Sequence, residues 1–324
     1  MFKDKLVLRD NNIVKQNFSK IKVIGLGGSG VNAISRIKED SSISGVDLIA
    51  VNTDAQSLKI CPAEHRILIG KNTTHGWGAG MDVKLGAKAA QESREDLKQA
   101  LIGAEMVFLT CGLGGGSGTS GIPVLAEIAK GLGILTLAVV TLPFSFEGQQ
   151  RKNIALQGLR DLESKADALL VIENDKLLGL AKPNTTVHSA FWLCDEVLRE
   201  AVKAISDLVS LPDIINVDFA DLKSILNNAG RAFLGIGRAR GEKRAIIAAS
   251  AALSSSLLDF SLKDAAGILI NIAGAGDLSL SEVNVAATFI KKNANPKARI
   301  VFGVSEDNNL QDGEIKITII ATSK

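Results

Sequence analysis

Two glycine-rich segments constrain the fold of this chain more than any other feature of its sequence. Residues 25–30 read G-x-G-x-x-G and follow the β-branched run 21–24, and a helix is predicted after them. Residues 112–121 form the densest glycine cluster, again between a predicted strand and a predicted helix. Glycine lets backbone N–H groups approach a phosphate, and a helix N-terminus adds partial positive charge. Two such loops at one edge of a parallel sheet would surround an extended polyphosphate, whereas a single pyrophosphate needs only one.

Strands and helices are predicted to alternate through the first half of the chain. Several strands are near-continuous apolar runs, which favours a parallel sheet with helices on both faces. Pro123 suits the first turn of the helix after the second glycine segment, and the five glycines of residues 70–86 predict a loop. The predicted strands are 21–24, 46–51, 106–110, 135–141 and 168–172, and the predicted helices are 31–38, 86–101, 124–130 and 150–164.

The pattern changes in the second half of the chain. A long amphipathic helix is predicted over 195–210, with its end set by Pro212. Ser279 and Glu282 form a capping box that opens a later helix. The elements predicted beyond Pro212 are helices at 242–256 and 280–292 and strands at 267–272, 299–304 and 314–321. The chain is therefore divided into a polar leader (1–20), an α/β domain (21–185), a central helix (186–212) and a smaller α/β domain (213–324).

The composition argues against several classes of function. The 37 Lys and Arg residues nearly balance the 35 Asp and Glu residues, and a net charge of +2 gives no reason to expect a nucleic acid or an anionic membrane surface as partner. Aromatic residues are only 4% of the chain, which argues against a platform for stacking bases. The three cysteines lack the spacing of a zinc site or a disulfide framework, which favours a reducing cytoplasm. The leader lacks a signal-peptide core, and direct membrane insertion is not expected.

The first glycine segment alone leaves two interpretations open. It fits the dinucleotide-binding fingerprint of a nicotinamide-dependent oxidoreductase, with Asp54 as a loose candidate for the acidic residue that binds the ribose. The second glycine segment favours a polyphosphate, because Ser117 and Thr119 add hydroxyl donors to its backbone N–H groups. The oxidoreductase hypothesis leaves that segment and the acidic pair Asp218 and Asp221 unexplained.

The second segment resembles the tubulin signature G-G-G-[ST]-G-[ST]-G, and further motifs in the same order resemble the tubulin/FtsZ family of GTPases. The similarity extends from about residue 21 to residue 322. The other matching blocks are 52–56 (NTDAQ), 76–80 (GWGAG), 140–148 (VTLPFSFEG), 216–221 (NVDFAD), 235–237 (GIG) and 241–245 (GEKRA). The resemblance implies an α/β fold with a parallel-sheet GTP-binding domain, a long central helix and a smaller C-terminal activation domain.

The resemblance also implies which residues bind GTP and GDP. They are Gly27, Gly28 and Asn32 in the first loop; Gly78, Ala79 and Gly80 over the γ-phosphate; Gly114, Gly115, Gly116, Ser117, Gly118 and Thr119 around the phosphates; Glu147 and Arg151 near the ribose; and Phe191 and Asp195 at the guanine. A carboxylate suits guanine because it accepts hydrogen bonds from N1 and N2, whereas adenine offers no such pair of donors.

The implied active site is shared between subunits. Asn216, Asp218 and Asp221 would enter the nucleotide pocket of the next subunit and position water and a cation, Mg²⁺. No residues of the chain can be assigned directly as metal ligands. The chain would hydrolyse GTP to GDP and phosphate and polymerise head to tail into filaments of the bacterial division ring, in the cytoplasm at mid-cell.

Several positions depart from the family pattern. Ser120 stands where glycine is usual and would cost about 1 kcal/mol if the position requires positive φ. Met81 and Asp82 replace Asn-Pro, and Asp82 would bring negative charge near the γ-phosphate. Leu142 and Glu173 replace a common lysine and a common proline. A scaffold that binds GTP with little hydrolysis is therefore kept as an alternative.

The sequence ends at Lys324, soon after the last predicted strand. The linker and the tail that bind membrane-tethering division proteins in this family would lie beyond that point. We therefore expect either a truncated chain or a different mode of attachment to the membrane.

Overall fold

The computed structural model of this chain describes residues 21–39, 43, 45–178, 186–210, 215, 217–255, 257, 260–307 and 309–324. The predicted leader, the predicted boundary at 212–213 and the candidate catalytic residue Asn216 lie outside them. Within the described residues, the strands are β1 (Ile21–Leu26), β2 (Val46–Asn52), β3 (His65–Leu68), β4 (Met106–Gly112), β5 (Leu135–Leu142), β6 (Ala168–Glu173), β7 (Gly230–Arg240), β8 (Gly267–Gly274), β9 (Arg299–Glu306) and β10 (Glu314–Thr322).

The helices complete an alternating α/β order. They are α1 (Gly27–Glu39), α2 (Ala55–Ile60), α3 (Lys71–Thr74), α4 (Val83–Glu92), α5 (Arg94–Leu101), α6 (Ser117–Gly131), α7 (Gln149–Glu163), α8 (Asn174–Leu178), α9 (Val187–Ser210), α10 (Phe219–Leu226), α11 (Arg244–Leu253) and α12 (Leu280–Asn293). No helix among the described residues combines the length and the apolarity that a membrane span needs.

The strands form one mixed sheet in the order β3-β2-β1-β4-β5-β6-β7-β10-β8-β9. The strands from β3 to β7 are parallel to their neighbours, β10 is antiparallel to β7 and β8, and β9 is parallel to β8. Apolar side chains of α1 and α9 are buried in one cluster, and those of α5 and α6 are buried in a separate cluster. The predicted α/β fold with a mostly parallel sheet is therefore confirmed.

Strand β7 joins the two parts of the sheet, and the sequence pattern does not predict it. It pairs with β6 through three residue pairs, beginning with Gly230 opposite Ala168. Glycines interrupt its apolar pattern, but one of them is required by packing. A Cβ at Gly237 would lie 2.1 Å from the carbonyl oxygen of Ala248, so glycine lets α11 approach the strand closely.

Three predictions near the glycine segments are wrong. The helix predicted over 86–101 is divided at Ser93, whose hydroxyl accepts a hydrogen bond from the Gly70 N–H at 3.0 Å. The loop predicted over 70–86 contains α3 and the start of α4. Pro123 is the seventh residue of α6 and not a first-turn residue, because the helix already begins at Ser117.

Helix α9 connects the two parts of the molecule through buried ion pairs. Its 24 residues span about 36 Å, and it begins within one residue of the predicted central segment 186–212 and eight residues before the predicted amphipathic pattern at Asp195. Nζ of Lys316 on β10 lies 2.7 Å from Oδ2 of Asp307 and 3.3 Å from Oε2 of Glu200 on α9. Nζ of Lys203 lies 3.1 Å from Oδ2 of Asp207, whose pKa burial raises to about 6 although Lys203 opposes the rise. Because Glu200 and Lys316 are both buried, a shift of α9 along the C-terminal strands would separate this pair of charges.

Candidate functional site

The two glycine segments meet at one edge of the sheet. Strands β1 and β4 are parallel neighbours, so the loops that follow them emerge side by side. Helix α1 begins at Gly27 and α6 begins at Ser117. A Cβ at Gly27, which has φ +75°, would lie only 3.0 Å from the backbone nitrogen of Gly118. Two helix N-termini therefore converge on one region, where their partial positive charges favour an anion.

Glycine is needed in the first loop for two different reasons. A Cβ at Gly25 would lie 2.1 Å from the Gly30 carbonyl oxygen, and one at Gly30 would lie 2.7 Å from the Thr110 carbonyl oxygen. These two glycines are thus required by the packing of the protein itself. Gly28 is different, because a Cβ there would meet no described protein atom within 4 Å and its φ is not positive. Gly115 in the second loop shares both properties.

Hydroxyl groups hold the second loop in place. The N–H of Gly114 donates a hydrogen bond of 2.8 Å to Oγ1 of Thr119, which is buried at the start of α6. Oγ of Ser117 lies 2.5 Å from Oγ1 of Thr53, beyond the end of β2. Both hydroxyls that are predicted to bind phosphates thus also have hydrogen-bonding partners within the protein. Gly118 lies beneath the loop, where a Cβ would be 3.1 Å from the carbonyl oxygen of Leu26.

The predicted γ-phosphate loop packs directly on the second glycine loop. A Cβ at Gly116 would lie 2.9 Å from the Cβ of the buried residue Ala79. Gly78 and Gly80 both have positive φ, at +83° and +52°, and the Gly78 N–H donates to the Thr53 carbonyl oxygen at 3.1 Å. The structure therefore brings all three predicted phosphate loops together at one edge of the sheet.

Two of the departures from the family pattern have structural roles that differ from those expected. Ser120 lies within α6 without positive φ, and its hydroxyl donates to the Gly116 carbonyl oxygen at 2.7 Å. The prediction of backbone strain at Ser120 is therefore wrong. Oδ1 of Asp82 accepts hydrogen bonds from the N–H groups of Lys84 and Leu85, at 2.8 and 3.0 Å. Asp82 thus caps α4, and its carboxylate is directed to that helix N-terminus.

Backbone strain occurs instead at Met81. Its φ is +68°, a conformation that asparagine tolerates and most other residues do not. We expect Met81→Asn to raise the free energy of unfolding by about 0.5–1 kcal/mol, measured by urea denaturation. Met81→Ala is the matched control, because alanine keeps the strained φ and should bring no such gain. Equal stabilities of the Asn and Ala variants would show that this φ costs nothing.

A cavity beside the first loop brings together the residues predicted for the sugar and the base. Its lining comprises Ser29, Asn32, Gly112, Leu113, Thr141, Pro143, Glu147, Arg151, Asn174, Phe191, Cys194, Asp195 and Leu198. Five of these are predicted nucleotide-binding residues: Asn32, Glu147, Arg151, Phe191 and Asp195. Burial raises the pKa of the Cys194 thiol to about 12, so the thiol is neutral at physiological pH and is not a nucleophile.

Asn174 also lines this cavity, and no motif in the sequence predicts it. The residue is 4% exposed, and its Oδ1 has no hydrogen-bond partner within the described part of the chain. A buried polar atom without a partner is costly, so a ligand that donates a hydrogen bond here would satisfy it. The available signal was position, since Asn174 directly follows β6 at the edge where the glycine loops lie.

The predicted ribose and base residues are held by their neighbours. Nη1 of Arg151 lies 3.0 Å from Oε2 of Glu147, whose Oε1 accepts a hydrogen bond from the Phe144 N–H at 2.8 Å. The ring of Phe144 packs edge-on against Phe191 at 5.3 Å between centroids and stacks on Phe146 at 5.0 Å. Phe191 keeps 41% of its surface exposed, which leaves ring surface for a base.

Asp195 is bound by a residue that no motif in the sequence predicts. Nε of Arg36, on α1, donates a hydrogen bond of 2.9 Å to Oδ2 of Asp195. Burial raises the pKa of the Asp195 carboxyl, and the hydrogen bond and charge of Arg36 oppose that rise.

The predicted catalytic carboxylates lie away from the loops of their own chain. Asp218 caps α10 by accepting from the Ala220 N–H at 3.3 Å, and Oδ1 of Asp221 lies 2.7 Å from Nη2 of Arg299. Helix α10 precedes β7, which starts opposite Ala168 at the beginning of β6. The glycine loops follow the opposite ends of the parallel strands, so these carboxylates cannot reach the phosphate loops of the same chain.

Two acidic residues beside the phosphate loops, Asp54 and Asp82, cap the N-termini of α2 and α4. No group of three or more His, Cys, Asp and Glu residues in the described ranges is arranged to hold a metal. A magnesium ion bound through phosphate oxygens and waters needs only one or two carboxylates from protein, so this arrangement fits Mg²⁺ if carboxylates come from another subunit.

Comparisons with known proteins agree with this geometry. Residues 20–182 match the family model described as Tubulin/FtsZ family, GTPase domain, and residues 230–323 match that of the FtsZ family, C-terminal domain. The structure resembles an empty FtsZ dimer of M. jannaschii with a TM-score of 0.91 and 45% sequence identity, over 95% of this chain and 89% of that one. It also resembles CetZ2 of Haloferax volcanii, solved as a GTPγS-bound protofilament, with a TM-score of 0.78 and 25% identity over 93% and 92% of the two chains.

Proposed function

Because this chain belongs to the tubulin/FtsZ family, we propose that it binds GTP, hydrolyses it to GDP and phosphate, and polymerises head to tail with its active site completed by the neighbouring subunit. The proposal rests on one observation, which is that the residues that would bind phosphate and the carboxylates that would orient water lie in different places. The anion-binding loops lie at one edge of the sheet, and the carboxylates Asp218 and Asp221 lie away from them. Neither of these two carboxylates could then orient an attacking water at the phosphate loops of its own subunit.

Phosphoryl transfer requires mainly positioning and charge stabilisation. The backbone N–H groups of the loops and the N-termini of α1 and α6 would bind the phosphates and stabilise the charge that develops on them. Asp218 and Asp221 of the next subunit would orient the attacking water and hold Mg²⁺, which supplies charge neutralisation at the phosphates when bound. The GTP site would extend into the cavity, with Phe191 at the face of the base and Asp195 at its edge.

Apolar surfaces on the chain support head-to-tail contact between copies. Trp77 and Phe146, both near the candidate nucleotide site, are 83% and 63% exposed. An open cavity of about 420 Å³ lies between α12 and β9, and the lining includes Ile215, Leu280 and Phe302. Ile215 pairs with Val304 of β9 and lies three residues before Asp218 in the chain. This apolar groove therefore lies close to the predicted catalytic carboxylates. A contact between two different faces repeats without closing and builds a filament.

The proposed cellular role is a division-ring filament in the cytoplasm at mid-cell, tethered to the membrane by partner proteins. The two similar proteins above come from archaea, so we do not restrict this role to bacteria.

The test is sedimentation combined with phosphate release. GTP, and not GDP or ATP, should drive the protein into the pellet, and the specific GTPase activity should rise with protein concentration because the active site forms only at subunit contacts. Specific activity that stays flat over a hundredfold range of concentration would contradict the shared site. Pelleting with GTP but without phosphate release would identify a scaffold instead.

A further inference from the structure

Arg36 contacts the candidate guanine-binding carboxylate, a contact that phosphate, sugar and base binding by the cavity do not by themselves require. Its guanidinium carbon lies 5.8 Å from the centre of the Trp192 ring, within range of a cation–π contact. Trp192 and Asp195 are three residues apart on α9, so one helix supplies both the supporting ring and the bound carboxylate. Arg36 lies four residues after Asn32 on α1, and thus on the face that lines the cavity.

The contact fixes one carboxylate oxygen and leaves the other available. Oδ2 of Asp195 accepts the bond from Arg36, and Oδ1 accepts none from any residue that the structure describes. The Asp195 side chain is only 11% exposed, so water does little to stabilise its charge. Other charged or titratable groups described near it are His188 and Cys194 on α9 and the pair of Glu147 and Arg151 across the cavity.

The protonation state of Asp195 decides which purine it can bind. A carboxylate has two acceptor oxygens, which match the N1 and N2 donors of guanine. A protonated carboxyl group has one donor and one acceptor, which match the N1 acceptor and the N6 donor of adenine. A neutral Asp195 would thus lose its complementarity to guanine and gain complementarity to adenine.

We propose that Arg36 is a positioning residue that keeps Asp195 as a carboxylate, presents its free oxygen to the base, and thereby sets the preference for guanine over adenine. This inference rests on the proposed function, because it takes the cavity as the site of a purine base. It adds a specificity determinant that lies one contact away from the nucleotide.

The test is the affinity for GTP and for ATP of the full chain between pH 5.5 and 8, measured by calorimetry. Arg36→Met should weaken GTP binding about tenfold to a hundredfold at pH 7, as loss of a charge-assisted hydrogen bond predicts. The loss should grow as the pH falls, and the ratio of GTP to ATP affinity should shrink. Arg36→Lys, which keeps the charge, should restore most of the pH profile. Arg36→Gln, which removes the charge and shortens the side chain but keeps an amide N–H donor, should show the same pH-dependent loss and provides a second neutral variant.

Two controls separate this role from a general structural one. Arg94→Met removes an arginine from another ion pair, with Glu127 at 3.0 Å, and should leave the base preference unchanged. In an Asp195→Asn background, where no carboxylate remains, Arg36→Met should have no further effect on the base preference. A parental base ratio and pH profile in both Arg36→Met and Arg36→Gln would overturn the inference, and so would an undiminished effect in the Asn background. A parent protein that does not prefer GTP over ATP would instead refute the proposed function.

Discussion

Asp221→Ala is expected to lower the steady-state turnover of GTP by at least about a hundredfold while leaving GTP affinity unchanged. The physical reason is that Asp221 lies away from the phosphate loops of its own chain, so its loss removes a water-positioning group from the neighbour's site and leaves the binding loops intact. Turnover is measured by phosphate release above the concentration at which filaments form, and affinity by calorimetry below it.

The matched control is Arg299→Ala. Arg299 pairs with Asp221 on the surface, with both side chains about half exposed, so its removal disturbs the same loop without removing the carboxylate. Exposed ion pairs contribute little, and we expect turnover to stay within about fivefold of the parent.

Mixing two inactive variants tests the sharing of the site directly. Asp221→Ala subunits keep an intact nucleotide pocket, and Gly115→Val subunits keep an intact Asp221 but should bind GTP poorly. An equimolar mixture should turn over GTP although each variant alone does not, because the carboxylate of one subunit then meets the pocket of the other. A mixture as inactive as its components, or an Asp221→Ala protein with parental turnover, would show that Asp221 does not act across the subunit contact.

The sequence predicts those parts of the fold that depend on interactions between residues close together in the chain. The capping box of Ser279 and Glu282 is confirmed, with the Ser279 hydroxyl accepting from the Glu282 N–H at 3.3 Å. Strand β7 was not predicted, because what makes it a strand is pairing with β10, more than 70 residues later, and close packing under α11. Ser93 divides a predicted helix for a similar reason, since its hydroxyl is used by Gly70, 23 residues earlier.

In the candidate site, too, local sequence signals predict some features and long-range contacts determine others. Glycine loops following parallel strands are visible in the sequence, and the structure brings them together as predicted. Arg36 and Asn174 were missed because neither lies in a motif, and their significance depends on burial and on contacts across the fold. Asp82 is predicted to bring negative charge near the γ-phosphate, and the structure shows that its carboxylate accepts hydrogen bonds at the N-terminus of α4.

Gly28→Ala is expected to change stability and ligand affinity in opposite directions. Gly28 lies in α1 with open space at its Cβ position, so alanine should stabilise the helix by about 0.5–1 kcal/mol. The added methyl group would occupy space that the protein leaves open beside the converging N-termini, and GTP affinity should fall by about tenfold or more. Gly131→Ala is the matched control, because it fills equally open space near the end of α6 and should stabilise the protein without changing affinity.

Gly25→Ala, which places a Cβ 2.1 Å from a carbonyl oxygen, should instead unfold the protein at markedly lower urea concentration. If Gly28→Ala bound GTP as tightly as the parent, the phosphates would have to lie elsewhere than against this turn of α1, and the GTP site inferred from the two converging helices would be wrong.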